Sequence, residues 1–294
     1  MQIKPKILGM AGSLRNARFG VGGDEFLQDL HDISSQGELK VYLEKQTQFR
    51  LQDFVEAGRG AGESFDKIYA NIRKLRGVRG LSNSEGALAA ALWGAKQEGC
   101  EIDHTSLSKH FPLSGDVREA DVLKAKILDA DAIILSSPVY FGDRGSLVQS
   151  LIEFISADDG LVRSCKDKIF AGLSVGAKRN GGQETSLIYL LLDMVNLNFL
   201  VVGNSNRTTS QYGGTTVAGD VGKMHSDDYG IETCIGTGER IGHVAKIAEK
   251  SKSSDAVLNS PLCIQLWLLQ DEDGGKGEAY FQKWQKICKA NAII

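Results

Sequence analysis

The fold class of this chain is decided by the stretch AIILSSPVYFG at residues 132–142. It begins as a continuous apolar run and ends in a polar turn that carries a proline and two aromatic residues. An apolar run without alternation is typical of a parallel strand that is covered on both faces. Comparable runs lie at 6–10, 102–107, 168–174 and 199–202.

Helical patterns of apolar residues fall between these runs. They predict helices at 85–97, 120–128, 147–155, 184–195 and 238–250. Alternating strands and helices imply right-handed crossovers and therefore an α/β fold with a doubly wound, five-stranded parallel sheet. Periodicity alone leaves both common strand orders of such sheets open.

Composition restricts the class of function. The chain has 294 residues, with 34 Lys and Arg against 37 Asp and Glu and a net charge of −3, which argues against a nucleic-acid or anionic-membrane surface. No apolar run reaches the roughly 18 residues that a membrane helix needs. The N-terminal run is too short and too interrupted by glycine for a signal peptide, so we expect a cytoplasmic protein.

The cysteines indicate thiols without a metal. They are Cys100, Cys165, Cys234, Cys263 and Cys288, with no Cys-x-x-Cys pair. Structural zinc and iron–sulfur clusters draw on closely spaced thiolates, and the histidines also lack such spacing. We therefore expect reduced, buried cysteines and no bound metal.

Three segments are additional to the strands and helices of a minimal domain of this kind. Residues 16–81 form a polar excursion between the first strand and the first core helix, and residues 204–230 form a long glycine-rich stretch. Loops of such length are usually functional or disordered. Residues 258–294 offer a strand-like run and an aromatic helix.

These segments define the expected domains. We expect one domain over 1–250, interrupted by an insertion at 16–81. Within the insertion the sequence predicts helices at 24–33 and 64–75. An extension over 251–294 would pack on this domain or on an oligomer interface.

Residues that follow the strands form the candidate site, because ligands of open parallel sheets bind beyond the carboxyl ends of the strands. After the first strand, Gly12-Ser13-Leu14-Arg15 combines close backbone approach, a hydroxyl and a guanidinium, which suits a phosphate. It lacks the lysine of a Walker A loop, and an ordinary tight turn is the alternative.

A second phosphate candidate, Ser82-Asn83-Ser84-Glu85, precedes the first core helix. The alternative interpretation is a capping box, with Ser82 as N-cap and Glu85 reaching back. Both roles are compatible, since hydroxyls and N–H groups at a helix start also bind phosphate. We hypothesise that the insertion splits one phosphate loop into two parts.

Two later turns suit a flat, amphipathic ring. Pro138-Val139-Tyr140-Phe141-Gly142 could cover its faces, or could instead plug the end of the sheet. Gly181 and Gly182 open a helix and would present N–H donors. Lys178 and Arg179 would hold a phosphate of a second ligand or form a solvated basic loop.

Taken in order, the segments GSLR with SNS, SSPVYFG, GAKRNGGQET and the glycines after Tyr212 resemble the NADPH-dependent FMN reductase family of the flavodoxin-like superfamily. The sequence is also similar to multimeric quinone-reducing flavoproteins and to iron–sulfur flavoproteins. The resemblance covers residues 4–15 and 82–248. It implies strand order 2-1-3-4-5, with FMN at the carboxyl edge.

The resemblance also implies which residues bind the cofactor. Those implied for the FMN phosphate are Ser13, Arg15, Ser82, Asn83 and Ser84. Those implied for the isoalloxazine and ribityl chain are Pro138, Val139, Tyr140, Phe141 and Gly142, and those for the pyrimidine edge are Gly176, Gly181 and Gly182. The family's loop after the fifth strand often completes the site across a subunit interface, so a homodimer or homotetramer is expected.

Three departures from the family stand out. The insertion at 16–81 is unusual, the cysteine cluster of the iron–sulfur flavoproteins is absent, and Asn180 stands where a histidine is frequent. Our leading hypothesis is an FMN-dependent oxidoreductase that takes hydride from NADPH or NADH and reduces a quinone, a flavin or another small acceptor. No catalytic acid or base is assigned, because the cofactor carries the chemistry.

The sequence leaves two alternative functions open. One is an electron-transfer flavoprotein without a nicotinamide site of its own. The other is a flavin-free interaction or regulatory protein.

Overall fold

The structure is a computed structural model that describes residues 4–14, 23–64, 66–68, 80–112, 115–209, 211–219 and 223–252. The first of two compact units spans Met1–Ile247, and the fold below belongs to it. Arg15, most of the helix predicted at 64–75 and the elements predicted at 258–294 lie outside the described residues.

The strands form one sheet along the middle of this unit. They are β1 Lys6–Ala11, β2 Glu101–Ser106, β3 Ala132–Tyr140, β4 Asp143–Arg144, β5 Ile169–Gly176, β6 Leu200–Val202 and β7 Gly214–Val217. The parallel order is β2-β1-β3-β5-β6, with β4 and β7 beside this path. Because β4 is only a hairpin partner of β3, the five principal strands have the order 2-1-3-4-5, and the flavodoxin-like fold is confirmed.

Two short strands share the edge position beside β5. β6 pairs with the first half of β5 and β7 with its second half, both in parallel register. The sequence predicted 204–230 as irregular, yet β7 and a 3₁₀ turn at Met224–Ser226 lie there. A strand of four residues is too short for its periodicity to be recognised.

The helices cover both faces of the sheet. They are α1 Gly23–Asp32, α2 Gln36–Gly60, α3 Asn83–Gln97, α4 Leu107–His110, α5 Ala120–Asp129, α6 Ser146–Ser156, α7 Asp159–Cys165, α8 Gln183–Asn196 and α9 Asp228–Lys252. The five core helices predicted from the sequence are confirmed, although α9 begins at Asp228 rather than at 238. The described helices include none that is long and apolar enough to cross a bilayer.

One face of the sheet carries a large apolar cluster. Leu8, Ile133 and Phe170 project from neighbouring strands toward it, and α5 to α8 contribute most of the remaining side chains. The other face is covered by α3, whose residues from Ser84 to Ala95 are all buried. Such burial explains the alanine-rich sequence of α3, since larger side chains would not fit on all sides.

Close backbone contact joins α3 to α9. A side chain on Gly94 would collide with the carbonyl oxygen of Ile235 and lie 3.3 Å from the amide nitrogen of Glu239. A side chain on Gly238 would collide with the carbonyl oxygen of Ala91. Part of the high glycine content therefore serves helix packing rather than a ligand.

The described part of the insertion contains two helices, α1 and α2, and packs on the core. The ammonium group of Lys96, in the last turn of α3, donates to the carbonyl oxygens of Leu30, His31 and Ile33 at 2.9, 2.7 and 2.9 Å. It thereby caps the C-terminal end of α1, where a positive charge is favourable. The indole N–H of Trp93 also donates to the carbonyl oxygen of Ile33, at 3.2 Å.

A second tie joins the insertion to the late loop. Arg207 donates to Gln36 at the start of α2 and to Glu239 on α9, each at 2.6 Å, and pairs with Glu232. Charge-assisted hydrogen bonds of this kind are among the stronger polar contacts in proteins. The pKa of Arg207 is raised by these carboxylates despite its partial burial.

His104 on β2 lies under α1. Its ring is 4.4 Å from the ring of Phe26, measured between centroids, and both ring nitrogens are buried without a hydrogen-bond partner in the described part of the chain. Burial lowers the pKa of His104 to about 4, although the charge of Asp103 opposes the shift. His104 is therefore neutral in the folded protein at neutral pH.

We expect Gly94→Ala and Gly238→Ala each to lower the free energy of unfolding by about 1–3 kcal/mol, because the added methyl group forces α3 and α9 apart. Gly60→Ala is the matched control, since a side chain there meets no atom within 4 Å. Urea denaturation of the three variants measures the difference. Equal stability of all three would contradict the close contact.

The unfolded chain binds a proton at His104 near pH 6.5, whereas the folded chain binds it only near pH 4. The contribution of His104 to the free energy of unfolding is therefore lost as the pH falls from 6.5 toward 4. We expect His104→Phe to gain stability relative to wild type over that range in urea titrations at several pH values. The control variant His243→Phe, at an exposed histidine, should show the same dependence of stability on pH as wild type. If the stability of His104→Phe also runs parallel to that of wild type over this pH range, the lowered pKa of His104 is refuted.

Candidate functional site

The carboxyl ends of β1, β3 and β5 meet at one edge of the sheet. Ala11 pairs with Ser136, and Pro138 pairs with Val175. The amide of Gly12 continues the ladder by donating to the carbonyl oxygen of Ser136 at 2.8 Å. The turns predicted to bind a ligand after these three strands therefore lie side by side.

The start of α3 is a capping box. The hydroxyl oxygen of Ser82 accepts from the amide of Glu85 at 3.1 Å, and the carboxylate of Glu85 accepts from the amide of Ser82 at 2.8 Å. The capping interpretation of this segment is confirmed, and it accounts for Ser82. Asn83 and Ser84 occupy the first helical turn, where N–H groups point out of the helix.

The residues after β3 form a tight hairpin with β4. Val139 pairs with Arg144 and Tyr140 with Asp143, so Phe141 and Gly142 are the central residues of the turn. Both have positive φ, 54° and 82°, as in the turns that suit two-residue hairpins. Phe141 is fully exposed at 108%. A bulky residue in this conformation stores strain, which is typical of ligand-binding sites.

Gln183 organises the turn after β5, a role that the sequence analysis missed. Its side-chain amide donates to the carbonyl oxygen of Lys178 at 2.8 Å, and its oxygen accepts from the amide of Gly181 at 2.8 Å. A side chain on Gly176 would lie 2.5 Å from Gln183. The expected N–H donor of Gly181 is therefore used inside the protein, and Gly176 is small because it makes room for Gln183.

Gly182 brings the two turns together. It has a φ of 98°, and a side chain there would lie 2.9 Å from the Cα of Gly142 and 3.3 Å from Val139. Asn180 nearby has a φ of 56°, a conformation that asparagine adopts more readily than most residues. The turns after β3 and β5 thus form one continuous rim.

Arg179 is fixed by the late loop. It pairs with Asp227 and lies over the ring of Tyr229, with its guanidinium carbon 5.7 Å from the ring centroid. Asp227 also accepts from the amide of Val217 at 2.7 Å, which ties β7 to the same point. Lys178 is exposed. These contacts give Arg179 a structural role in the described protein.

The sequence profile of the NADPH-dependent FMN reductase family matches residues 76–213. An iron–sulfur flavoprotein of Methanocaldococcus jannaschii is 32% identical over an alignment of 197 residues that covers 60% of this chain and 100% of that protein. The chain belongs to the NADPH-dependent FMN reductase family.

Other relatives have related descriptions. An NAD(P)H dehydrogenase (quinone) of Caulobacter vibrioides is 26% identical over 175 residues, 52% of this chain and 85% of that protein. A flavodoxin, WrbA-like protein from Agrobacterium tumefaciens has a TM-score of 0.44 at 21% identity, over 56% of this chain and 90% of that chain. Membership of the FMN reductase family makes this chain a flavin-dependent oxidoreductase with FMN as cofactor and NAD(P)H as co-substrate.

The residues at the carboxyl edge fit FMN. Ser13 and Ser84 are buried hydroxyl residues, the former after β1 and the latter in the first turn of α3, and hydroxyls with helix N–H groups suit a phosphate. The hydroxyl oxygen of Ser136 is buried without a partner in the described structure. A side chain on Gly142 would meet nothing within 4 Å, which leaves room beside this turn.

The described cysteines of this family member form no disulfide bond with one another. Cys100, Cys165 and Cys234 are free and buried, and burial raises the pKa of Cys100 and of Cys165 to about 11. Among the described residues, no three His, Cys, Asp or Glu side chains come together as metal ligands. Cys263 and Cys288 lie outside these residues.

Replacing Phe141 by glycine should raise the free energy of unfolding of the flavin-free protein by up to about 1 kcal/mol, because it removes left-handed strain while an exposed ring loses no packing. Phe141→Ala is the matched control, since it removes the ring and keeps the strain. Chemical denaturation compares the two. If the glycine variant is no more stable than the alanine variant, the turn is unstrained.

Proposed function

We propose that this FMN reductase family member holds FMN at the rim after β1, β3 and β5 and reduces a quinone, a free flavin or another small acceptor. When bound, FMN supplies the redox chemistry, accepting hydride from NADPH or NADH and passing electrons to the acceptor. The observation that carries the proposal is the convergence of the β1 turn, the β3–β4 hairpin and the β5 turn at one edge.

Within this proposal each part of the rim has a binding role. The phosphate end would be held by Ser13, Arg15, Ser82, Asn83 and Ser84. The ring and ribityl chain would lie along Pro138, Val139, Tyr140, Phe141 and Gly142, with the pyrimidine edge near Gly176, Gly181 and Gly182. The use of the Gly181 amide by Gln183 leaves Gly182, at the start of α8, as the better donor toward the pyrimidine edge.

The rim also orients the ring and limits its exposure to water. The strained Phe141 would cover part of one ring face, and the contact between Gly182 and the hairpin would fix the distance between the two walls. Fixed walls lower the reorganisation required when charge develops on the cofactor. No side chain is assigned as an acid or base.

We further propose a homodimer or homotetramer. The large exposed side chain of Phe141 lies on this rim, and that of Tyr229 lies at the start of α9, in contact with Arg179. Aromatic residues are enriched at protein interfaces. A second subunit would cover them and complete the walls of the site.

The proposed reductase activity predicts a direct optical result. Purified protein should carry or take up FMN, and anaerobic addition of NADPH or NADH should bleach its visible absorption far faster than it bleaches free FMN at the same concentration. Stopped-flow absorbance measures both rates. Slow bleaching of bound FMN by both nucleotides would contradict the reductase and favour an electron carrier; protein that takes up no FMN would refute the proposed site.

A further inference from the structure

The carboxylate of Asp227 joins three separate parts of the chain. Asp227 directly precedes α9, and its Oδ1 accepts from the amide of Gly230 at 3.1 Å, as an N-cap residue does. Its Oδ2 accepts from the amide of Val217, the last residue of β7, at 2.7 Å. The same carboxylate pairs with Arg179 in the turn after β5, and its side chain is only 12% exposed. A negative charge is therefore fixed at a point where β7, α9 and the β5 turn meet.

This charge lies near a residue that we propose for the pyrimidine edge of FMN. Val217, which donates to Asp227, pairs with Gly176 in the ladder between β5 and β7. The amide of Ala218 continues the ladder by donating to the carbonyl oxygen of Gly176 at 2.7 Å. Because neighbouring strands are about 4.8 Å apart, one further hydrogen bond places the carboxylate of Asp227 within about 10 Å of Gly176.

Arg179 belongs to the turn that would face the same edge of FMN. Gln183 closes this turn through its hydrogen bonds to Lys178 and Gly181, so Arg179 lies near the tip of the turn. It stands two residues before Gly181, and their Cα atoms are therefore at most about 7.6 Å apart. The ring of Tyr229 supports the guanidinium from α9, with the guanidinium carbon 5.7 Å from the ring centroid. The turn thus carries a positive charge whose position is set by α9 and by the residue before it.

The electrostatics of the pyrimidine edge depend on the redox state of the flavin. Reduction by hydride leaves one negative charge on the pyrimidine part of the ring, because hydride carries two electrons and only one proton. A positive group nearby favours the reduced form and raises the reduction potential, whereas a negative group lowers the potential. The Debye length at physiological ionic strength is about 8 Å, so charges in the β5 turn act on this edge without complete screening.

We propose that Asp227 sets the reduction potential of FMN at the rim, by pairing with Arg179 so that the two charges cancel beside the pyrimidine edge. The inference rests on the proposed function, because it assumes that this edge of FMN faces the turn after β5. Asp227 is a positioning residue, since it acts through Arg179 rather than through contact with the cofactor. Loss of either partner leaves one uncompensated charge at the same place, and the sign of that charge depends on which partner is lost.

Shifts of opposite sign in the reduction potential test this proposal. We expect Asp227→Asn to make the potential of bound FMN more positive, because it leaves the charge of Arg179 uncompensated. Arg179→Gln should make the potential more negative, because it leaves the charge of Asp227 uncompensated, and the double variant should return toward the wild-type value. Anaerobic spectroelectrochemical titration of the FMN-loaded proteins measures all four potentials. A pair with a merely structural role would give shifts of one sign, since both single variants break the same contact.

Matched controls make the same charge changes at the opposite edge of the sheet. Asp167→Asn and Arg163→Gln alter exposed residues that precede β5. The eight residues of β5 span about 26 Å, which is well beyond the Debye length, so both controls should have the wild-type potential. Arg179→Lys keeps the positive charge, and its potential should lie closer to that of wild type than the potential of Arg179→Gln does.

The outcomes separate this inference from the proposed function. Potentials that are unchanged in both single variants, or shifted in the same direction, would overturn the role of Asp227 and Arg179 while leaving the flavin site in place. The melting temperature of each flavin-free variant is recorded alongside. If Asp227→Asn does not fold, Arg179→Gln decides, since this side chain is 41% exposed: an unchanged or more positive potential overturns the proposal. Wild-type protein that binds no FMN would overturn the proposed function as well.

Discussion

Burial of α3 on every side is the constraint on which the rest of the structure depends. The helix lies against the sheet on one side and contacts α1 and α9 on others, so it tolerates only small residues at Gly94 and along its alanine run. Its position places the capping box of Ser82 and Glu85 at the carboxyl edge of β1 and β3. One packing requirement therefore fixes both the core of the domain and the position of the helix start that we propose to bind phosphate.

The insertion is compatible with this arrangement because it is anchored at several separate points. Lys96 caps the C-terminal end of α1, and the indole of Trp93 donates to the carbonyl oxygen of Ile33, the residue that follows α1. Arg207 joins the start of α2 to α9. These ties hold 23–60 against the core although the chain leaves β1 and must return to α3.

Much of the fold follows from the sequence, because buried parallel strands and amphipathic helices have strong patterns. The strand order needed the family resemblance, since no periodicity distinguishes the two doubly wound orders. α2 was missed because Gln46, Thr47 and Arg50 disrupt the apolar stripe by which a buried face is recognised. The turns after β3 and β5 lie against each other through Gly182, but the role of Gln183 was missed, because side-chain hydrogen bonds to backbone groups of the same turn produce no apolar periodicity.

The central claim is that FMN lies at the carboxyl edge, with its phosphate beside the start of α3 and its ring against the β3–β4 hairpin. A crystal structure of the protein with FMN tests it most directly. The account predicts phosphate oxygens within hydrogen-bond distance of Ser13 and Ser84, and the isoalloxazine in contact with the turn at Phe141 and Gly142. FMN bound with its phosphate away from α3, or at another surface of the protein, would contradict the account.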